Sequence, residues 1–452
     1  MKCKTCSHPH MLRVQIGHAK EQKHAINCVH CREPIEFSLK LDQKNPSISF
    51  AVVDNCERIE PTEEATPYYV SSDIAVDSAR LHDPLYFPSL QTMQYLMQHP
   101  NGRQMFRDAQ RPNSQVVSEI WDDVQKIWRL QNSGKYAVAN QLMAQFCARN
   151  GISEVVLREV LYWFNGGLFA IDKSIDREVV EIMRSNRDEC LRFLNYYHFN
   201  LRPHHRRSLF EIYSRYFEAF SEFSQVLMYA RIDVPLPDGF RVTSTKFSMV
   251  RRFYADAYEF FASFVAIYAC LNNIKDGRRF DEFKNIGLSK YLTTDKAKRR
   301  DAFADNKLFL EASAEFDNDI RNASFHDWFF LLPDNETIEF RPGGTGVTQT
   351  VSYSQYLYRC TALFRQIVSL FSVTLRFDEV INSTSLVTSP TFQKTLRERT
   401  ERHARLLSAA GLGSSSTRAL HSERGAGGGG GGGQRQAENF IKALGRLHRQ
   451  VQ

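Results

Sequence analysis

Phe316-Asp-Asn-Asp-Ile-Arg321-Asn322-Ala-Ser-Phe-His326-Asp-Trp328 is the most informative stretch of this 452-residue chain. Leu308, Phe309, Ala312, Phe316 and Ile320 recur at helical spacing ahead of it, which predicts a helix over 308–320 with Arg321 and His326 at its C-terminal end. Five residues at 100° each place those two side chains about 140° apart on an ideal helix. They converge only if Arg321 reaches around, if the helix loosens at His326, or if a second copy of the site faces the first. The bland alternative pairs Arg321 with Asp317, one turn back, and lets His326 merely end the helix.

An arginine separated from a following histidine by four to six residues is common. Arg13 with His18, Arg192 with His198 and Arg397 with His403 fit it too. The flanks separate Arg321 from the others. A long apolar helix is expected over Phe253 to Ile274, and a hairpin over Trp328 to Phe340 around Pro333-Asp-Asn-Glu. A last helix is expected from about Tyr353 to Phe377. Asp256 and Glu259, on the first of these helices, either face the site or, as the commoner case, are solvated.

Ile-Arg-Asn-Ala-Ser-Phe-His with these flanks resembles the Arg-polar-x3-5-His motif of the HEPN superfamily (higher eukaryotes and prokaryotes nucleotide-binding domains). Only Arg321 among the four arginines is followed by the polar residue that family prefers. The resemblance covers about 135 residues and implies a helical bundle over 240–385. It also implies a metal-independent endoribonuclease, dimeric, with two motifs facing across one cleft, leaving a 2′,3′-cyclic phosphate and a 5′-hydroxyl. RNA carries its own nucleophile, the 2′-hydroxyl, so no catalytic serine or cysteine is needed. The catalytic residues expected are Arg321 to clamp the scissile phosphate, Asn322 to bond the phosphate or hold the arginine, and His326 to move a proton. By family analogy the role is an antiphage or abortive-infection effector answering a phage- or host-derived trigger, with RNA as substrate and a homodimer as the working unit.

Far from the motif, Cys3-Lys-Thr-Cys6 and Cys28-Val-His-Cys31 form two Cys-x-x-Cys pairs. Four thiolates fill a tetrahedral site with no open position, so Cys3, Cys6, Cys28 and Cys31 are expected to hold one structural Zn²⁺ per chain, with no cofactor for catalysis. Iron in a rubredoxin-like site is an alternative, as is replacement of one Cys by His8, His10 or His30. The residues between the pairs, Leu12 to Ile16 and His24 to Asn27, predict a short hairpin, and Cys31 to Leu41 alternates as a third strand would.

The fold class expected is mainly α. A small β zinc ribbon (1–45) is followed by a connector (46–90) with a strand-like piece over Ile48 to Val53. A helical domain (91–235) carries stripes such as Trp121, Val124, Ile127 and Trp128, whose aromatics read as core. Pro235 and Pro237-Asp-Gly suggest a boundary before the HEPN-like domain (240–385). A flexible basic Gly-rich tail (386–452) holds seven consecutive glycines from Gly427 and reads as a solubilising linker. The formal charge of +7 does not mark the body as a nucleic-acid binder: residues 396–452 carry ten basic and four acidic side chains, which leaves 48 against 47 elsewhere.

Basic clusters at Leu201-Arg-Pro-His-His-Arg-Arg207 and Lys296-Ala-Lys-Arg-Arg300 read as solvated helix starts, and Gly343-Gly-Thr-Gly346 as a loop. No phosphate-binding Walker loop, nucleophile elbow or His-Glu-x-x-His helix is present. The longest apolar run is too short for a membrane helix and no secretory core opens the chain, so a cytoplasmic location is expected. From a different class of function, the rival readings are a non-catalytic zinc-ribbon module binding nucleic acid or a protein, and a zinc-ribbon DNA-binding regulator.

Overall fold

The computed structural model describes residues 1–15, 21–42, 47–60, 62–103, 117–169, 173–243, 246–325, 328–334 and 336–382, with isolated positions at 394, 398 and 401. The Gly-rich tail lies outside them, and so does His326. The protein is mostly helical, with small sheets at the N-terminus and one in the C-terminal region.

Eight strands open the chain: β1 (Lys2–Cys3), β2 (His10–Gln15), β3 (Glu21–Asn27), β4 (Pro34–Asp42), β5 (Ser47–Asp54), β6 (Cys56–Glu57), β7 (Thr66–Ser71) and β8 (Val76–Asp77). β3, β4 and β5 form an antiparallel meander. Alternate residues Ile35, Phe37 and Leu39 of β4 turn inward, as the sequence pattern requires of a strand with one buried face. Among the described residues β2 and β3 do not pair as the expected hairpin between the two cysteine pairs. β2 instead pairs in parallel with β7, Leu12 opposite Tyr68 and Val14 opposite Val70. Much of the 46–90 connector therefore belongs to the β module, whose core includes Ile26, Phe37, Tyr68, Val70, Val76, Leu81 and Tyr86. A parallel partner needs a long crossover, and local spacing cannot show it.

Among the described residues eight α-helices follow: α1 (Pro88–Gln98), α2 (Val117–Asn132), α3 (Tyr136–Asn150), α4 (Leu157–Leu168), α5 (Lys173–Ser185), α6 (Arg187–Tyr196), α7 (Arg202–Glu218) and α8 (Phe220–Arg231). The stripe on α2 is core, as expected: Trp121 stacks on Phe217 at 4.8 Å and Trp128 on Phe371 at 5.8 Å. After α8 the chain turns through Pro235 and Gly239 into β9 (Phe240–Arg241), which pairs with β8. The proline-glycine break is thus a return to the β module.

The C-terminal part contains α9 (Phe247–Phe264), α10 (Ala266–Lys275), α11 (Leu288–Leu292), α12 (Lys307–Glu311), α13 (Asn318–Phe325), the antiparallel sheet β10 (Phe329–Leu331), β11 (Thr337–Phe340), β12 (Gln349–Ser352), and α14 (Tyr353–Asn382). α14 closes both helical regions, which share one core. Its Tyr353 hydroxyl donates to Glu222 at 2.9 Å, its Ser372 hydroxyl accepts from the buried Asn165 amide at 3.2 Å, and its Arg376 pairs with Asp176 at 2.6 Å.

The 201–207 cluster is part of this closure rather than a solvated helix start. Arg202 and Arg206 both bond the Asp378 carboxylate, Arg202 at 2.7 Å, and that carboxylate side chain is only 5 % exposed. Burial opposes its ionisation, but the two guanidinium groups outweigh burial and hold its pKa below the usual carboxylate value. Among the described residues no helix is long and apolar enough to cross a membrane.

Asp378→Asn leaves two arginines against a neutral amide, and urea unfolding near pH 7 is expected to show a loss of ~3 kcal/mol. A folded-state pKa below the unfolded one gives stability that is complete above about pH 4 and lost as pH falls further. The gap between parent and variant therefore narrows below about pH 4. An equal gap at about pH 7 and about pH 3 would count against the ionised triad.

Candidate functional site

Two groups of chemistry-bearing residues emerge, one in the β module and one on α13.

In the β module, Cys3, Cys6, Cys28 and Cys31 bring their sulfurs together, all within 4.8 Å of one another. Cys3 lies 3.8 Å from Cys31, and Cys6 lies 3.5 Å from Cys28. Metal–sulfur bonds of about 2.3 Å in a tetrahedron imply sulfur separations of about 3.8 Å, so the cage fits a tetrahedral ion.

The two halves of the cage are built alike. The backbone N–H of Ser7 donates to Cys3 and that of Cys3 to His8; likewise Arg32 donates to Cys28 and Cys28 to Glu33. Ser7 (φ 64°) and Arg32 (φ 67°) both take the left-handed conformation that turns the chain after the second cysteine. Within the thiol cage, the His8 backbone draws Cys6 down to about 6, whereas burial pushes Cys28 up to about 12. Four thiolates cannot crowd together there without a cation to compensate them.

His8, His10 and His30 are neighbours of the cage and not members of it. The His8 ring stacks on His30 at 5.7 Å and meets His10 at 5.0 Å, while His8 also bonds Thr66. His10 is buried with no partner for either nitrogen, and burial brings it down to about 4.

The second group corrects the sequence expectation in three places. The helix over 308–320 is broken: α12 ends at Glu311, where the Ser313 hydroxyl bonds back to Phe309, and α13 begins beyond Asp317. Asp317 caps the new helix by accepting from the Asp319 and Ile320 backbone, and it pairs with Arg359 at 2.8 Å. Arg321 therefore does not pair with Asp317, and it stands in the middle of α13 rather than at its end.

The partner of Arg321 is Glu259, which faces the site from α9 instead of lying in solvent. Arg321 Nε donates to Glu259 Oε1 at 2.6 Å, Nη2 donates to the same oxygen, and Nη1 donates to Asn322 Oδ1 at 2.6 Å. Lys296 holds the other oxygen of Glu259, so this residue of the 296–300 cluster is engaged as well. Arg299 of that cluster is buried, donating to Ala262 and Leu292, and Arg300 donates to Leu310. Burial would raise the Glu259 carboxyl, but its bonds from Lys296 and Arg321 outweigh burial and keep it below the usual range. Asp256, one turn earlier, pairs with Arg215.

Those bonds occupy three of the five guanidinium N–H groups, leaving one on each Nη for a further acceptor. One carboxylate between two cations leaves a unit of positive charge, and the Arg321 side chain remains 25 % exposed. The arrangement can receive an anion. Arg321 and Asn322 are thus brought together, while His326, expected with them, lies outside the described residues. Glu259, which sequence reading named but ranked as solvated ahead of facing the site, is the added member; it is 62 residues away from Arg321, and its only signal was a carboxylate on the preceding apolar helix.

Comparison with protein-family models, with curated proteins and with solved structures finds no match for this chain.

Metal analysis of the purified protein is expected to return one ion per chain, and Cys28→Ser to abolish it, because a tetrahedral cage that loses one of four donors binds far more weakly. Protein that folds normally with no bound metal would refute the site.

Proposed function

We propose that this protein is a metal-independent endoribonuclease of HEPN type, with Arg321, Asn322 and His326 as its catalytic residues and Glu259 as a positioning residue. The observation that carries the reading is the Arg321 fork, fixed on one side by Glu259 and Asn322 and still holding two unused N–H groups. A guanidinium oriented in advance can take a phosphate oxygen and stabilise charge as it grows in the transition state. His326, five residues beyond Arg321, supplies the group that moves a proton at the 2′-hydroxyl or the 5′-oxygen, since an unperturbed imidazole titrates near ~6.5. Attack by the 2′-oxygen forms the bond to phosphorus, expels the 5′-oxygen as a hydroxyl and leaves a 2′,3′-cyclic phosphate.

In this reading the four-cysteine cage holds Zn²⁺ as a structural ion, because all four donors are protein thiolates and no position is open to substrate. RNA is the substrate, a homodimer the working unit, the cytoplasm the location, and an antiphage or abortive-infection role the setting, answered by a phage- or host-derived trigger. A structural metal that outlives all cleavage would favour the non-catalytic binding module.

Incubation with total RNA and transfer RNA in EDTA is expected to give cleavage that Arg321→Ala and His326→Ala each reduce by about 10²-fold or more. Cleavage unchanged in either variant would remove that residue from the site.

A further inference from the structure

The Arg321 site lies beside an exposed aromatic shelf with no part in the core. Phe325, Trp328 and Phe330 are 59 %, 43 % and 51 % exposed, although aromatic side chains of this size usually bury. Between the last two, Phe329 turns the other way and packs on Tyr356 at 4.8 Å and Phe340 at 5.7 Å. The alternation puts Trp328 and Phe330 on one face of the sheet. Trp328 extends the ladder past β10, since its carbonyl accepts from Arg341 at 3.1 Å.

The indole is held in place. Gly344, at φ +80°, lies so close that a Cβ there would fall 2.6 Å from Trp328 Nε1. Only a bare glycine lets the ring rest on this turn, so the stretch read as a plain loop is a seat for a tryptophan. The Pro342–Gly344 turn in turn packs against α13, the helix that carries Arg321. On α13 itself the Arg321 guanidinium stands 5.7 Å from the Phe325 ring. Arg341, opposite Trp328 in the ladder, adds a second cation, this one exposed.

We propose that Trp328, with Phe330 beside it, is a base-stacking residue that selects unpaired nucleotides next to the phosphate held by Arg321. The inference rests on the reading of Arg321 as a phosphate-binding group on RNA. Residues two apart on a strand stand about 6.7 Å apart, close to twice the 3.4 Å rise of stacked bases, which suits one base between two rings. Arg321 stands beside Phe325 and Arg341 opposite Trp328, whereas Phe330 faces Glu339, so the positive charge gathers at the Trp328 end, where cations can hold a sugar-phosphate backbone while aromatic faces take the bases. A duplex keeps its bases stacked on one another and offers the shelf none. A second copy of the chain is the competing occupant, but the half-buried Arg321 and the exposed Arg341 beside the rings suit an anionic ligand better than a like-charged copy.

The test uses a short labelled single-stranded 2′-O-methyl oligouridylate, which lacks the hydroxyl that cleavage needs, and the matching duplex. Fluorescence anisotropy with the full chain is expected to show binding of the single strand that Trp328→Ala weakens by about tenfold, with duplex binding unchanged. Trp328→Phe should restore most of the affinity and shows that the fold survives substitution there. Equal single-strand affinity in parent and Trp328→Ala overturns the proposal, as does a parent that binds no single strand. Conversion of a dimer to a monomer by Trp328→Ala, with affinity per chain unchanged, assigns the shelf to self-association and overturns it too. Cleavage of natural RNA, followed in parallel, separates the two claims. Arg321-dependent cleavage that ignores Trp328 leaves the ribonuclease reading standing without the shelf, whereas Trp328-dependent binding without cleavage does the reverse.

Discussion

Buried Gln225 and its neighbours tie together segments that are far apart in the chain. From α8 the Gln225 side chain donates through Nε2 to the Thr243 carbonyl at 2.9 Å and accepts the Thr243 backbone N–H at 2.8 Å, while the Gln225 backbone carbonyl takes the Ala75 N–H at 2.9 Å. One turn earlier Glu222, also buried, takes the Tyr353 hydroxyl, and His24 of β3 reaches Thr243 at 3.2 Å. A buried amide left without partners costs ~1–3 kcal/mol, and Thr243 satisfies both ends of this one. Together with the Ala75 and Tyr353 bonds, it brings the β module, α8, the chain entering α9 and the start of α14 to one place. Their common core then follows, with α14 running through it.

That junction also fixes where the hairpin beside the candidate site goes. Asn27, the residue before the second cysteine pair, donates to the Asp334 carbonyl in the turn between β10 and β11. Arg241 of β9 pairs with Glu336 in the same turn at 2.9 Å and lies over the Tyr68 ring of β7. The cysteine cage therefore has a mechanical consequence beyond its own knuckles. Through Asn27 it touches the turn that follows β10, the strand that carries Phe330 and is preceded by Trp328.

What could be read in the sequence was whatever lies within a few residues of itself. Both cysteine knuckles are local turns, and their spacing is visible because the conformation after each pair is set by its own backbone. Arg321 and Asn322 are adjacent, and the hairpin over 328–340 alternates as a strand pair must. Non-local partners were invisible. β7 shows no sign that β2 is its neighbour, and Glu259 is one carboxylate among many on a helix whose spacing says only which face is buried. The break between α12 and α13 was hidden for a related reason. Leu308, Phe309, Phe316 and Ile320 keep helical spacing across it, yet Ser313 and Asp317 satisfy backbone groups locally and end one helix before starting the next. Gly344 read as punctuation because its partner, the Trp328 indole, comes to it across the sheet.

Pairing the arginine proposed to bind phosphate with a carboxylate looks self-defeating, since the acid competes for the same donors. The geometry resolves this. Glu259 divides its oxygens between Arg321 and Lys296, so an incoming phosphate that takes the two free N–H groups leaves the carboxylate fully bonded and strips neither cation of its partner. Arg321 does not have to swing from one anion to another, and the side-chain entropy of a long flexible residue is already spent in folding. Removing the acid would release the guanidinium and leave it beside Lys296, two like charges with nothing between them. In this setting the carboxylate orients the guanidinium that the proposed chemistry requires, and the remaining unit of positive charge sets the sign of the ligand the site attracts.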